Sequence, residues 1–133
     1  MTFFTDENFI YQAAKLLEAF DRDHKVRALV DHFDKGTADT VWIPEIGKWD
    51  PKPFVISGDG RILTNKVELS ALRSSGLTFF CLSSGWTHTG WNTYAWKIIK
   101  VWPAIVEDAK HNLRPAVYEV SPSTLKVTRR LNL

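Results

Sequence analysis

Short apolar runs of aromatic and β-branched residues alternate along this chain with longer segments whose apolar residues recur at helical spacing, and that alternation constrains the fold most. Phe3 and Phe4 form the first run, Thr2 to Thr5, which passes directly into the polar turn Asp6-Glu7-Asn8. Lys25 to Val30 alternates Val26, Ala28 and Val30 and predicts a second strand ending at Asp31-His32-Phe33. Phe54-Val55-Ile56 is too short for a helix and is bounded by Pro53, Gly58 and Gly60, so it predicts a buried strand with Asp59 just beyond its carboxyl end. Leu77 to Leu82 predicts a fourth strand, and Ala116 to Val120 with Leu125 to Thr128, separated by Ser-Pro-Ser, predict a late β pair.

Between these runs lie the helices. Ile10, Ala13, Ala14, Leu17 and Phe20 share one helical face over Phe9 to Phe20, closed by Asp21-Arg22-Asp23. Thr37 is a good cap for a short helix that holds Asp39 in its first turn and ends near Gly47. Asn65 and Glu68 have capping-box spacing ahead of Leu69, Leu72 and a terminating Gly76. Tyr94, Ile98, Trp102 and Ile105 keep one face through Lys110, where Pro103 is expected either to kink the helix or to start a second one. Ser83 to Thr93 reads as a loop. Strands alternating with helices imply βαβ units and a mostly parallel sheet covered on both faces, so the fold class is α/β.

A chain of 133 residues with 44% hydrophobic residues suits one domain spanning 1–133 with a single core, and excludes a disordered class. Cys81 is the only cysteine and lies inside an apolar run, which excludes disulfides and cysteine-based zinc sites. No run approaches the roughly 20 apolar residues of a membrane span, and the amino terminus lacks a signal-peptide pattern, so a cytoplasmic location and no membrane partner are expected. Residues 1–66 hold eleven acids against nine Lys and Arg, and residues 67–133 hold four against eight; an acidic half beside a basic half suits a phosphate-bearing partner.

Asp6, Asp39 and Asp59 each have an ordinary explanation: a helix cap, a favourable charge in a helix's first turn, and a turn residue between glycines. Together they say more, because Asp6 and Asp59 both follow strands and Asp39 starts a helix beside them. In an open α/β sheet ligands bind outside the carboxyl ends of the strands. Carboxylates gathered there raise one another's pKa unless a cation lies between them, and hard oxygen ligands select Mg²⁺ or Mn²⁺. Such an ion polarises a phosphodiester and acidifies water for attack at neutral pH, which is hydrolytic nuclease chemistry.

Asp6-Glu7-Asn8 after the first strand, Thr37-Ala38-Asp39-Thr40-Val41-Trp42-Ile43 opening a helix, and Val55-Ile56-Ser57-Gly58-Asp59 at a later strand resemble the PIN-like domains, in particular the small ribonuclease toxins of the VapC group. The resemblance implies a three-layer α/β/α sandwich with a short C-terminal β pair. It implies Mg²⁺ or Mn²⁺ bound by Asp6, Asp39 and Asp59 as metal ligands and catalytic residues, with Asn8 and Ser57 as supporting polar groups. It further implies endoribonuclease activity on an RNA substrate, a cognate antitoxin protein as partner, and room for a homodimer. The fourth acid usual in that family has three candidates here, Asp31, Asp34 and Glu45, and Ser57 stands where Thr is usual. The alternative reading is a PIN-like module without catalysis that binds RNA or protein.

Other residues point less directly. His24, His32, His88 and His111 have no ligand spacing, and His88 is expected to be solvated. Trp86 and Trp91 are candidates to stack on unpaired bases, or else to pack beneath their loop. Arg61, Lys66, Arg73, Lys97 and Lys100 are candidates for phosphate contacts, or a solvated charged face.

Overall fold

Four of the apolar runs become neighbouring strands because each buries both of its faces. The computed structural model describes residues 1–58 and 66–133, the side chains of residues 66–68 excepted. In chain order the elements are β1 (Thr2–Thr5), α1 (Tyr11–Phe20), β2 (Lys25–Ala28), α2 (Asp39–Ile46), β3 (Phe54–Ser57), α3 (Lys66–Ser75), β4 (Phe79–Leu82), α4 (Trp91–His111), β5 (Ala116–Val120) and β6 (Val127–Asn132). They form a six-stranded sheet in the order β2-β1-β3-β4-β5-β6, parallel except for β6, which pairs antiparallel with β5.

Successive strand residues point to opposite faces, and the two resulting cores are separate. Phe3, Ile56, Phe80 and Tyr118 face α1 and α4, where they meet Leu17, Ile98, Trp102 and Ile105. Phe4, Val55, Phe79 and Val117 face α2 and α3, where they meet Trp42, Ile43, Ile46 and Leu72. This is the three-layer α/β/α sandwich expected from the sequence. The steps β3–α3–β4 and β4–α4–β5 advance in the same direction across the sheet, yet α3 and α4 cover opposite faces. The last crossover therefore has the opposite hand to the one before it.

Several details differ from the sequence reading. The second strand ends at Ala28 rather than Val30, because Leu29 turns inward as part of a short 3₁₀ segment, Leu29–Asp31, and is buried. Thr37 does not cap α2: the cap position is Ala38, and the Thr37 hydroxyl instead donates to the Asp34 carbonyl at 2.6 Å. Of the two outcomes open for Pro103, a second helix is excluded, since α4 runs unbroken from Trp91 to His111. Pro103 sits on the exposed face while Ile98, Trp102 and Ile105 are buried on the other. The segment before α4 holds a short 3₁₀ turn, Trp86–His88, and the last strand runs on to Asn132. Gly76, at φ +72, ends α3 as expected. Asp59, Arg61 and Asn65 lie outside the described residues, as do the side chains of Lys66 and Glu68.

The aromatic packing around Phe3 gives a direct check. Phe3 is fully buried and meets Phe54 at 5.7 Å and Trp102 at 4.7 Å, so Phe3→Ala is expected to cost about 3–5 kcal/mol in urea unfolding. Trp96, 52% exposed on the same helix as Trp102, is expected to cost less than about 1 kcal/mol when changed to Ala.

Candidate active site

The strand order places β2 on one side of β1 and β3 on the other, so the chain reverses its progress across the sheet between β1 and β3. The crevice at the carboxyl ends of two such strands is the standard ligand position in an open α/β sheet. Asp6 stands there, one residue past β1, with its N–H donating to the Ile56 carbonyl of β3 at 3.1 Å. Its side chain is only 8% exposed.

That carboxylate is held by four donors. The backbone N–H groups of Asn8, Phe9 and Gly58 donate to Oδ1 at 3.1, 3.0 and 3.0 Å, and the Ser57 hydroxyl donates to Oδ2. Asp6 therefore joins the turn after β1 to the end of β3. Gly58 is required for this closeness: a Cβ there would lie 2.2 Å from the Asn8 carbonyl oxygen and 2.7 Å from the Phe9 nitrogen. Burial pushes the Asp6 pKa up to about 6; the bonds from Ser57, Gly58 and Phe9 pull it down, and the nearby charge of Asp39 raises it further.

Asp39 arrives from α2. It occupies the first turn, is partly exposed, and accepts a bond from the Trp42 indole N–H at 2.8 Å. The loop ahead of α2 is tied to the end of β1 by Glu7, whose two carboxylate oxygens accept the Gly36 N–H at 3.1 and 3.3 Å. The structure thus brings Asp6 and Asp39 into electrostatic reach of one another. Asp59 follows Gly58 in sequence but lies outside the described residues.

Of the supporting groups, Ser57 reaches Asp6 through its hydroxyl, whereas Asn8 does so through its backbone N–H with its side chain exposed. A pocket of about 250 Å³ opens beside Asp6, lined among others by Glu7, Asn8, Tyr11 and Gln12 and by Ala28 to Val30. Among the candidates for a fourth acid, Asp31 is nearest this pocket, but it accepts bonds from the Tyr11 hydroxyl at 3.1 Å and the Lys15 amine at 3.0 Å. Those contacts, Lys15 foremost, hold its carboxyl below the usual carboxylate range. Asp34 lines a neighbouring hollow of about 490 Å³ with Asp31 and His32, and Glu45 lies exposed near the far end of α2.

Sequence reasoning missed two contributors. Glu7 looked like part of a polar turn, and nothing in its local pattern announces a bond to Gly36. Tyr94 looked like one position of a core helix face. It is buried, its ring meets Phe9 at 6.2 Å, and burial followed by the charge of Asp6 raises its phenol pKa. Trp86 proves to be a packing residue, buried with its indole N–H on the Val120 carbonyl at 2.9 Å. Lys97 donates to the Pro122 carbonyl at 2.8 Å, while Lys100, Arg73 and His88 are exposed.

Among the described residues no three His, Cys, Asp or Glu side chains group closely enough to hold a metal. The donor set still suits a hard divalent cation: two carboxylates at one sheet edge, one of them buried and short of neutralising charge. Among the described residues no helix is long and apolar enough to cross a membrane.

Compared with known families, residues 1–84 match one described as a PIN like domain. Neither the curated proteins nor the solved structures compared with the chain gave a match.

The raised pKa of Asp6 fixes a sign. The folded protein holds the Asp6 proton up to about pH 6 while the unfolded chain releases it near 3.8, so this group's stabilising contribution is complete below that lower value. It is lost as pH rises through about 6, a difference of about 3 kcal/mol. Without divalent metal, thermal unfolding is expected to show stability falling across that window, and Asp6→Asn is expected to flatten the fall. Gly58→Ala is expected to destabilise by about 1–3 kcal/mol through the clash with Asn8, read by urea unfolding.

Proposed function

The chain belongs to the PIN-like domain family, and on that premise we propose that it is an Mg²⁺- or Mn²⁺-dependent endoribonuclease acting as the toxin of a toxin–antitoxin module. PIN domains are generally nucleases that use divalent metals. The observation that carries the proposal is Asp6: a carboxylate at the reversal point of the sheet whose pKa is raised to about 6, by burial first, with Asp39 close enough to add to the rise. A structural acid gains nothing from a second carboxylate beside it, whereas a cation-binding pair needs one.

In this reading Asp6 and Asp39 hold the cation, and Asp59 joins them as the third ligand. When bound, the cation supplies positive charge against the phosphodiester and makes water acidic enough to attack at neutral pH. The chain's own residues prepare that chemistry. Ser57 and the N–H groups of Phe9 and Gly58 fix the Asp6 carboxylate in place, and the Trp42 indole does the same for Asp39. Glu7 holds the loop that brings Asp39 in. The antitoxin is the partner that would cover this acid edge.

A second reading has one observation in its favour. Both oxygens of Asp6 already accept bonds from protein donors, which is also what an acid kept for folding would show in a PIN-like module that binds RNA or protein without cutting it. RNA cleavage in Mn²⁺, in Mg²⁺ and in EDTA separates the two. The enzyme reading expects cleavage only with metal, and a loss of at least about 10- to 100-fold in Asp39→Ala, the loss common even for groups that merely orient a metal's ligands. No cleavage by the wild type under any condition, or equal cleavage by Asp39→Ala, would sink it.

A further inference from the structure

The helix α4 begins at the same sheet edge as Asp6, because β4 ends there at Leu82 and the intervening turn is short. Its first residue, Trp91, is 44% exposed, while the indole expected to act beside it, Trp86, is buried. Trp91 is backed by Tyr94, with ring centroids 6.3 Å apart and planes only 19° from parallel. Tyr94 is in turn fixed edge-on by Trp86 at 5.4 Å and by Phe9 at 6.2 Å. Phe9 donates its N–H to the Asp6 carboxylate. A continuous series of contacts therefore leads from Asp6 through Phe9 and Tyr94 to one exposed indole held in a fixed orientation.

An aromatic face presented in this way is what single-stranded nucleic acids use, since every base offers a π-face. An exposed indole also serves protein partners, but the contacts through Tyr94 and Phe9 lead this one to the carboxylate that the nuclease reading makes the site of phosphodiester chemistry.

We propose that Trp91 is the platform on which an unpaired base of the substrate stacks, so that the neighbouring phosphodiester lies over Asp6. The inference rests on the nuclease reading of that edge and adds the residue that grips the substrate, through a base. Trp91 is a positioning residue, since it touches the base and not the reacting phosphate.

The test is binding of a fluorescein-labelled single-stranded RNA 12-mer to the full chain in EDTA, where cleavage plays no part, read by anisotropy. Trp91→Leu keeps apolar bulk but removes the π-face and is expected to weaken binding by about 5- to 150-fold. Trp91→Phe is expected to restore most of the affinity. Trp96→Leu, exposed elsewhere on α4, is expected to bind like the wild type, and the RNA duplex of the same sequence is expected to be indifferent to Trp91→Leu. Equal affinity of Trp91→Leu and wild type overturns the inference, as does an equal loss in Trp91→Leu and Trp96→Leu. Metal-dependent cleavage, measured separately, tells which reading has failed: cleavage with unchanged binding by Trp91→Leu removes only the platform, while absent cleavage and absent single-strand binding by the wild type remove both.

Discussion

Four hydrogen bonds to the Asp6 carboxylate tie the turn after β1 to the end of β3, at the point where the chain reverses its path across the sheet. Charge-assisted bonds of this kind are stronger than neutral ones, and three of the four come from backbone groups whose positions the strands already set. The arrangement needs Gly58, because no side chain fits against Asn8, and it needs the small hydroxyl of Ser57 pointing back at the acid. Even so, burial outweighs these bonds and leaves the carboxyl with a raised pKa. The junction is thus well bonded but electrostatically incomplete, the condition that the proposed cation would relieve.

The placement of Asp39 follows from the same junction. Glu7, next to Asp6, holds Gly36, and the loop so anchored delivers the first turn of α2 to the edge. Phe4 on β1 and Trp42 on α2 stack at 5.5 Å beneath it, so the helix is fixed from below as well as from its amino end. The site is therefore built by the strand end and its immediate neighbours rather than by long loops, which suits a constellation that has to stay in register.

Much of this was legible in the sequence, for a physical reason. Paired aromatics such as Phe3-Phe4 and Phe79-Phe80 bury both faces of a strand, and only a sheet covered on both sides can accept them. The strand-end position of Asp6 and the helix-start position of Asp39 followed from those runs. What escaped was decided by tertiary contact. Thr37 has the chemistry of a cap, but its hydroxyl is taken by Asp34; of the two outcomes open for Pro103, the second helix is excluded because the buried face around Trp102 carries α4 through it. Trp86 and Trp91 look alike in the sequence, yet Trp86 is buried edge-on to Tyr94 with its indole N–H on the Val120 carbonyl, while Trp91 stacks on Tyr94 and stays exposed. Tyr94 itself kept perfect core spacing, so no local signal marked it as a neighbour of an acid on β1.

The hand of the last crossover has a consequence for how this fold can diversify. Had α4 followed α3 onto the same face, its amino end would lie across the sheet from Phe9, and Tyr94 would have no path to Asp6. By returning to the face of α1, a segment that comes late in the chain packs against the turn that carries Asp6, an acid that comes early. Asp6 and Asp39 fall within the residues that match the family, and α4 falls after them. On the proposed reading the grip on a ligand and the chemistry applied to it are encoded apart, so that one can drift toward a new target while the other stays as it is.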